Sequence, residues 1–345
     1  MSNLAGVSVI IPCYNTGRYI REAVDSVRAQ KTAVPHEIII IDDGSSDPFT
    51  HETLAELKHE DPGIRLFYNG MNKGLPATRN VGLGYARYSY ILPLDSDDKL
   101  STDPALLERG GYIDRTFAAL ESNPDVVLAY SRVRLFDAVD HVFITQSAYD
   151  EKKLLSRNMV GAHNVFRKAE ALKIHGYNEE MIHAEDWDIT MRLLNNAIRE
   201  GRQSTVHFIE NPLFCYRRRS NNTSMMSNPK MTTEQVVRAM STSSPEIYEK
   251  HYPGLAGSKL IDAVVHDRSA ILAQEAKDLF KHCARHPLSS FFDGSFQLAY
   301  HEVPRVKKKI SNHLSRFFGG ATGGTDIDVP EIQETPGSLP QASLH

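Results

Sequence analysis

Short apolar runs alternate with helical periods through the first hundred residues of the chain. Val7–Ile11 (VSVII) is continuous and rich in β-branched residues, as a strand buried on both faces requires. Pro12 ends the run, and Tyr19, Ile20, Ala23, Val24 and Val27 then recur at helical spacing. Glu37–Ile41 (EIIII) is a second buried strand, Pro48–Glu60 a polar helix and Ile64–Tyr68 a third strand. Asn72-Lys73-Gly74 turns into a helix that carries Arg79 and Asn80, and Tyr88–Leu94 is a fourth strand. Strands alternating with helices at this spacing predict an α/β fold, with a mostly parallel sheet and right-handed crossovers.

The pattern continues with a helix over Pro104–Ser122 and strands over Asp125–Tyr130 and Arg132–Phe136, joined or bent at Ser131. A short extended piece follows at Asn164–Phe166, then a short helix, Ala169–Ile174, that Gly176 caps. Glu185–Ile198 is a helix that turns Ile189, Leu193, Leu194 and Ala197 inward. Strands over Val206–Ile209 and Leu213–Tyr216 close the unit. Beyond about Met226 the periodicity is helical only, most clearly over Lys259–Cys283. Gly319–His345 is rich in Gly, Pro, Ser and Thr and is expected to be disordered. The expected division is therefore 1–225, a helical extension over 226–318, and a tail over 319–345.

Composition narrows the function classes. The 345 residues suffice for two domains or one large α/β domain with extensions. A net charge of −4 argues against a generic nucleic-acid binder. Cys13, Cys215 and Cys283 are scattered with no CxxC pair, which points to reduced thiols in the cytoplasm and to no zinc site. The apolar start ends at Pro12 and has no basic stretch before it, so it reads as a strand and not as a signal peptide. No window approaches the ~20 apolar residues that span a bilayer, so any membrane contact is expected to be peripheral.

The stretch YSYILPLDSDDKL (Tyr88–Leu100) carries the first chemistry. Its strand runs into Asp95-Ser96-Asp97-Asp98, whose carboxylates repel one another. Mg²⁺ or Mn²⁺ removes that cost, because such a cation takes one or two carboxylates together with substrate phosphates. A turn built by Asp and Ser explains the bare pattern equally well. The remaining clusters decide between the two readings. Tyr14-Asn15, Asp42-Asp43 and Asn72–Arg79 also follow strands, and in a doubly wound sheet such loops converge on one edge. Tyr14 offers a ring for stacking on a base, Asp43 an acceptor for a base N–H, and Arg79 a partner for a carbonyl or phosphate. Singly each reads as a loop or surface residue. In this order, and beside an aspartate cluster, they describe a pocket for a nucleoside diphosphate.

At these motifs the chain resembles the family 2 glycosyltransferases with the GT-A fold. VSVIIPCYN (Val7–Asn15), IIIIDDGSSD (Ile38–Asp47), NKGLPATRNVGL (Asn72–Leu83), ILPLDSDDKL (Ile91–Leu100) and AEDWDITMRL (Ala184–Leu193) carry the resemblance, in the family's order, over about the first 225 residues. The resemblance implies a catalytic domain over 1–225 that binds a nucleotide-sugar, most often UDP-linked. Pro12, Tyr14, Asn15, Asp43 and Arg79 would contact the nucleotide, and Asp95-Ser96-Asp97 would be the DXD element, with Asp97 the metal ligand. Glu185-Asp186 opens a helix, where the dipole and free N–H groups favour the ionised form that a general base needs. The resemblance makes Asp186 that base; simple capping fits the bare pattern as well. Trp187 beside it is an acceptor platform or a core filler, and His163 and His183 are acceptor contacts or core residues.

One departure stands out. Family members often carry a metal-binding His after the Tyr-Arg of a late strand; here the segment is Tyr216-Arg217-Arg218-Arg219, with Arg219 at that place. Arg cannot ligate a metal but can bind diphosphate oxygens, so Arg217 and Arg219 join the candidate contacts.

The reading is an inverting hexosyl- or N-acetylhexosaminyl-transferase in cell-surface polysaccharide or lipopolysaccharide synthesis, with a divalent metal as cofactor and a glycan or lipid-linked acceptor. A nucleotidyltransferase that makes the nucleotide-sugar is the rival enzyme, but PCYNTGR (Pro12–Arg18) is a poor triphosphate loop. A non-catalytic sugar-nucleotide-binding protein is the other rival, and Asp97 with Asp186 argues against it. Between Val303 and Phe318, Arg305, Lys307, Lys308, Lys309 and Arg316 share a helical period with Val306, Ile310, Leu314 and Phe317. Such a helix fits an anionic membrane surface on the inner face, and equally packing on its own domain or on a second subunit.

Overall fold

The computed structural model describes residues 4–138, 140–142, 149–181, 183–219 and 231–285. The first half alternates as the periodicity predicts: β1 (Leu4–Cys13), α1 (Gly17–Arg28), β2 (His36–Asp42), α2 (Pro48–Glu60), β3 (Arg65–Tyr68), α3 (Leu75–Tyr85) and β4 (Tyr88–Pro93). There follow β5 (Lys99–Leu100), α4 (Pro104–Leu107), α5 (Tyr112–Ser122), β6 (Val126–Asp137), β7 (His141–Val142), α6 (Glu151–Leu154), β8 (Val165–Arg167) and α7 (Lys168–Lys173). The described chain closes with α8 (Glu185–Arg199), β9 (Thr205–Arg218), α9 (Thr233–Ser243), α10 (Pro245–His251) and α11 (Gly257–Arg285).

One sheet runs in the order β3-β2-β1-β4-β8-β6-β9-β5, with β7 on β6. β3, β2, β1 and β4 are parallel. β8 enters antiparallel between β4 and β6, and β6 and β9 pair in parallel. The sheet is thus parallel in its first half and mixed in its second. Helices cover both faces, so consecutive residues of a strand enter opposite cores. Ile39 and Ile41 pack in one apolar cluster, and Ile38 and Ile40 in the other. That is why β1 and β2 read as unbroken apolar runs rather than as alternation.

Three features differ from the periodic reading. The helix expected over Pro104–Ser122 is broken at Gly110, whose φ of +88° lies in the left-handed region, and α5 restarts after Gly111. The two strands expected around Ser131 are one strand, and so are the two expected between Val206 and Tyr216. The bend survives as a shift in the β6–β9 register between Ser131 and Val133. The third feature is β5, which has only two residues and no periodicity to announce it. It pairs antiparallel with Phe214 and Cys215 of β9, and this fastens the Asp95–Asp98 loop to the end of the longest strand.

Helices α9, α10 and α11 add Val237, Met240, Ile247, Tyr248 and Val264 to the same apolar cluster as α8. No helix among the described residues is long and apolar enough to cross a membrane. The basic period at 303–318 and the tail at 319–345 lie outside the described residues.

Candidate active site

The loops after β1, β2 and β4, with the loop after β3, meet at one edge of the sheet, and side-chain hydrogen bonds tie them together. Pro12 is the penultimate residue of β1, in register with Ile41. Asn15 takes φ +53°, a conformation Asn tolerates better than most residues. Its Oδ1 accepts from the backbone N–H of Ser46 (2.9 Å) and Asp47 (3.0 Å), and its own N–H donates to Ser45 Oγ (2.9 Å). Thr16 Oγ1 and Ser96 Oγ lie 2.8 Å apart and link the first loop to the aspartate loop. Asp43 is buried and accepts from Asn69 Nδ2 (2.8 Å) and from the N–H groups of Lys73 (3.0 Å) and Gly74 (2.9 Å). Gly44 (φ +72°) passes so close to Met71 and Asn72 that a Cβ would lie 2.7 Å from Met71 C. Above this braced floor Tyr14 is 47% exposed.

Arg79 joins the two ends of the site. It is 1% exposed. Nη2 donates to Asp95 Oδ1 (2.6 Å) and Nη1 to Glu185 Oε1 (2.8 Å), while the guanidinium lies 5.4 Å from the Tyr177 ring centroid. The sequence reading gave Arg79 a ligand to hold; in the structure its outer nitrogens hold the start of α8 against the end of β4. Glu185 nevertheless stands well above the ordinary carboxylate range, because burial and the neighbouring Asp186 outweigh Arg79. Asp186 is raised in the same direction by burial, against the pull of Arg79 and of its own hydrogen bonds. Those bonds come from Asn158 Nδ2 to Oδ2 (2.7 Å) and from Trp187 N–H to Oδ1 (2.8 Å). Ala184, just before the helix, is left-handed at φ +64°.

The second charge cluster lies on the other side of Asp95. Arg219 Nη2 donates to Asp97 Oδ2 at 2.5 Å. Burial and Asp95 raise Asp97, and Arg219 works against them. Asp98 is fully buried and raised well above its usual range by burial and then by Asp97 and Asp95; its Oδ1 accepts the backbone N–H of Arg217 (2.8 Å). Arg217 is spent internally: Nε donates to Asp97 O, Nη1 to Asp137 and Nη2 to Glu22. These bonds make it a strut of the aspartate loop.

Two aromatic candidates lie in the core. Trp187 is 6% exposed, and its Nε1–H donates to Leu154 O (2.8 Å), so the core-filling reading fits its place. The His163 ring stacks on Phe214 at 4.3 Å with Nε2 on Ser131 O, and burial lowers its pKa to about 4. It is a neutral core group. His183 is buried beside the start of α8 with no partner on Nε2 among the described residues. Sequence reasoning missed Asn158, Tyr19, Glu22 and Asp137. Asn158 holds Asp186, Glu22 and Asp137 hold Arg217, and the Tyr19 ring lies under both guanidinium groups. None sits in a motif; Asp137 comes beside Arg217 through the pairing of β6 with β9, and Tyr19 and Glu22 meet it from α1.

Among the described residues no three His, Cys, Asp or Glu side chains are grouped to hold a metal ion. Asp95 and Asp97 still fit Mg²⁺ or Mn²⁺ of the kind that completes its shell with phosphate oxygens and water. Both are hard oxygen donors, and the burial and the Asp95 repulsion that raise Asp97 are what such a cation would offset.

Residues 8–165 match the family model described as glycosyl transferase family 2. That segment is a family 2 glycosyltransferase domain. The chain is 28% identical over 197 residues to an uncharacterized glycosyltransferase of Methanocaldococcus jannaschii, covering 55% of this chain and 65% of that protein. It is 31% identical over 193 residues to a chondroitin synthase of Pasteurella multocida, covering 54% of this chain but 18% of that protein. The chain therefore spans less than two thirds of either relative. The fold is similar to that of S. aureus TarS 1-349, solved in complex with UDP-GlcNAc, with a TM-score of 0.52 at 16% identity over 90% of this chain and 80% of that one. The glycosyltransferase family and the GT-A fold agree with the resemblance carried by the five sequence motifs.

Proposed function

We propose that the chain is an inverting glycosyltransferase, moving a sugar from a nucleoside-diphosphate sugar to an acceptor hydroxyl. One observation carries the reading: buried Arg79 ties Asp95, in the aspartate loop, to Glu185, beside Asp186, so a leaving-group side and a base side share one edge of the sheet. The family 2 domain and the nucleotide-sugar bound to TarS support a donor of this class, UDP-linked in the first instance.

In this reading exposed Tyr14 stacks on the base, while Pro12, Asn15 and Asp43 shape the base pocket through the loops they brace. Asp97, with Asp95 and Ser96 beside it, would hold Mn²⁺ or Mg²⁺, which when bound supplies positive charge to the diphosphate. Asp186 takes the proton of the acceptor hydroxyl. The acceptor oxygen bonds to the anomeric carbon as the bond from that carbon to the diphosphate oxygen breaks, and the electron pair leaves with the diphosphate. Attack from the opposite face inverts the anomeric centre. Asn158 and the Trp187 N–H orient the carboxylate, and its burial lifts it toward the basicity that proton transfer at neutral pH favours.

Residues 1–225 form the catalytic unit in this reading, and α9–α11 extend it. The acceptor is a glycan or lipid-linked glycan in cell-surface polymer synthesis, the setting to which the chondroitin synthase similarity also points. The test is a panel of nucleotide-sugars read by thermal shift with and without Mn²⁺. A ligand bound only by the folded state raises the apparent melting temperature, so at least one donor should do so, and none doing so would refute the reading.

A further inference from the structure

Arg217 and Arg219 flank the same ring, with their guanidinium carbons 4.8 and 4.6 Å from the centroid of Tyr19. Their states differ. Every side-chain nitrogen of Arg217 is bonded within the protein. Among the described residues Arg219 makes one ion pair, to Asp97, and its buried Nε has no partner. The pair is partly open to solvent, at 29% exposure for Arg219 and 32% for Asp97. The strut thus holds up a second cation that keeps a donor in reserve, beside the loop that the reading above gives to the diphosphate. A guanidinium is always charged and presents a planar fork that matches two phosphate oxygens.

We infer that Arg219 is this chain's own cation for the leaving diphosphate, so that the site retains a nucleoside diphosphate without a divalent metal. The inference rests on the proposed donor class. It has a second consequence. Arg219 neutralises Asp97 and occupies one of its oxygens, so it competes with any metal that Asp97 would bind. Before the diphosphate arrives, the Asp97 carboxylate is held by Arg219. Once it arrives, the Arg219 fork turns its unused N–H groups to the phosphate oxygens.

The experiment is calorimetric titration of the full chain with UDP, in EDTA and in Mn²⁺, for wild type, Arg219→Ala and Arg219→Lys, with a melting curve for each to confirm folding. A parallel titration of Mn²⁺ alone is followed by electron paramagnetic resonance. Wild type should bind UDP in EDTA nearly as tightly as in Mn²⁺. Arg219→Ala should lose about tenfold or more in EDTA, the scale of one charge-assisted hydrogen bond, and recover part of it with Mn²⁺. Arg219→Lys, which keeps the charge but not the fork, should fall between. Mn²⁺ alone should bind Arg219→Ala more tightly than wild type, as competition for Asp97 requires, while the loss of UDP affinity in EDTA is the readout that a merely structural arginine would not move. UDP binding by wild type that requires Mn²⁺, or that ignores Arg219→Ala in EDTA, overturns the inference and leaves the donor class standing. Failure of wild type to bind UDP, GDP, CDP, ADP or dTDP under either condition removes both.

Discussion

At the scale of single residues, the site is a chain of charges whose members constrain one another. In the proposed reading Asp186 is the base, because of the two carboxylates that open α8 it is the one Arg79 does not hold; Glu185 is pinned to that guanidinium. Asp186→Asn should leave donor affinity nearly intact and lower turnover by roughly 10²–10⁴-fold, the usual span for a general base. Lost donor affinity with surviving turnover would make Asp186 a binding or capping residue. Asp97→Asn should keep the fold, since Asp97 sits in a partly exposed loop, and should reduce the stimulation of turnover by Mn²⁺; undiminished stimulation would remove Asp97 as its ligand. The pH profile follows from directions. Burial raises Glu185 and Asp186 in the folded protein, and a base must be deprotonated to act. Turnover should therefore climb with rising pH along an acid limb that lies above the ordinary carboxylate range of ~4. Glu185→Gln keeps an acceptor for Arg79 but removes a like charge beside Asp186, so that limb should move to lower pH. A limb that stays put would locate the titration elsewhere.

At the scale of elements, the periodic strands and helices were legible and the short pieces that aim the chemistry were not. β1, β2 and β4 announce themselves because both their faces are buried, and α8 because Ile189, Leu193, Leu194 and Ala197 form one inner stripe. β5 is two residues long and exists only through β9. Gly110 breaks a helix whose apolar period runs on past it. The candidate residues were visible for a related reason: loops at strand ends concentrate Asp, Asn and Tyr. Which of them face a ligand was not visible, because that depends on partners far along the chain. Arg79 reads as a surface residue of α3 until its bonds to β4 and α8 are seen. Its test is one of stability. Arg79→Met removes the cation between Asp95 and Glu185 and leaves the buried Glu185 carboxylate and the half-buried Asp95 uncompensated, a change that costs about 3–5 kcal/mol. Urea unfolding at neutral pH should show a loss of that order, shrinking at lower pH as the carboxylates protonate. A loss under about 1 kcal/mol, the scale of a surface ion pair, would mean that Arg79 does not brace the site.

At the scale of the whole molecule, the parallel half of the sheet carries the proposed nucleotide side and the mixed half brings Asp186 and Arg219 to it. Antiparallel β8 separates β4 from β6 and β9. Two linkages close the distance: Arg79 reaches Glu185, and β5 draws Arg217 and Arg219 onto the aspartate loop. In the proposed reading this arrangement lets the diphosphate of a donor leave on one side while an acceptor is deprotonated on the other. The most direct measurement is the phosphate product. The purified chain is incubated with each nucleotide-sugar that stabilises it, with candidate glycan acceptors and with water alone as acceptor, and the products are separated by chromatography. The account predicts that a nucleoside diphosphate is released, that no pyrophosphate is formed, and that release falls with Asp186→Asn. Pyrophosphate formed from a nucleoside triphosphate and a sugar phosphate, or tight binding of the donor with no diphosphate released under any condition, would contradict it.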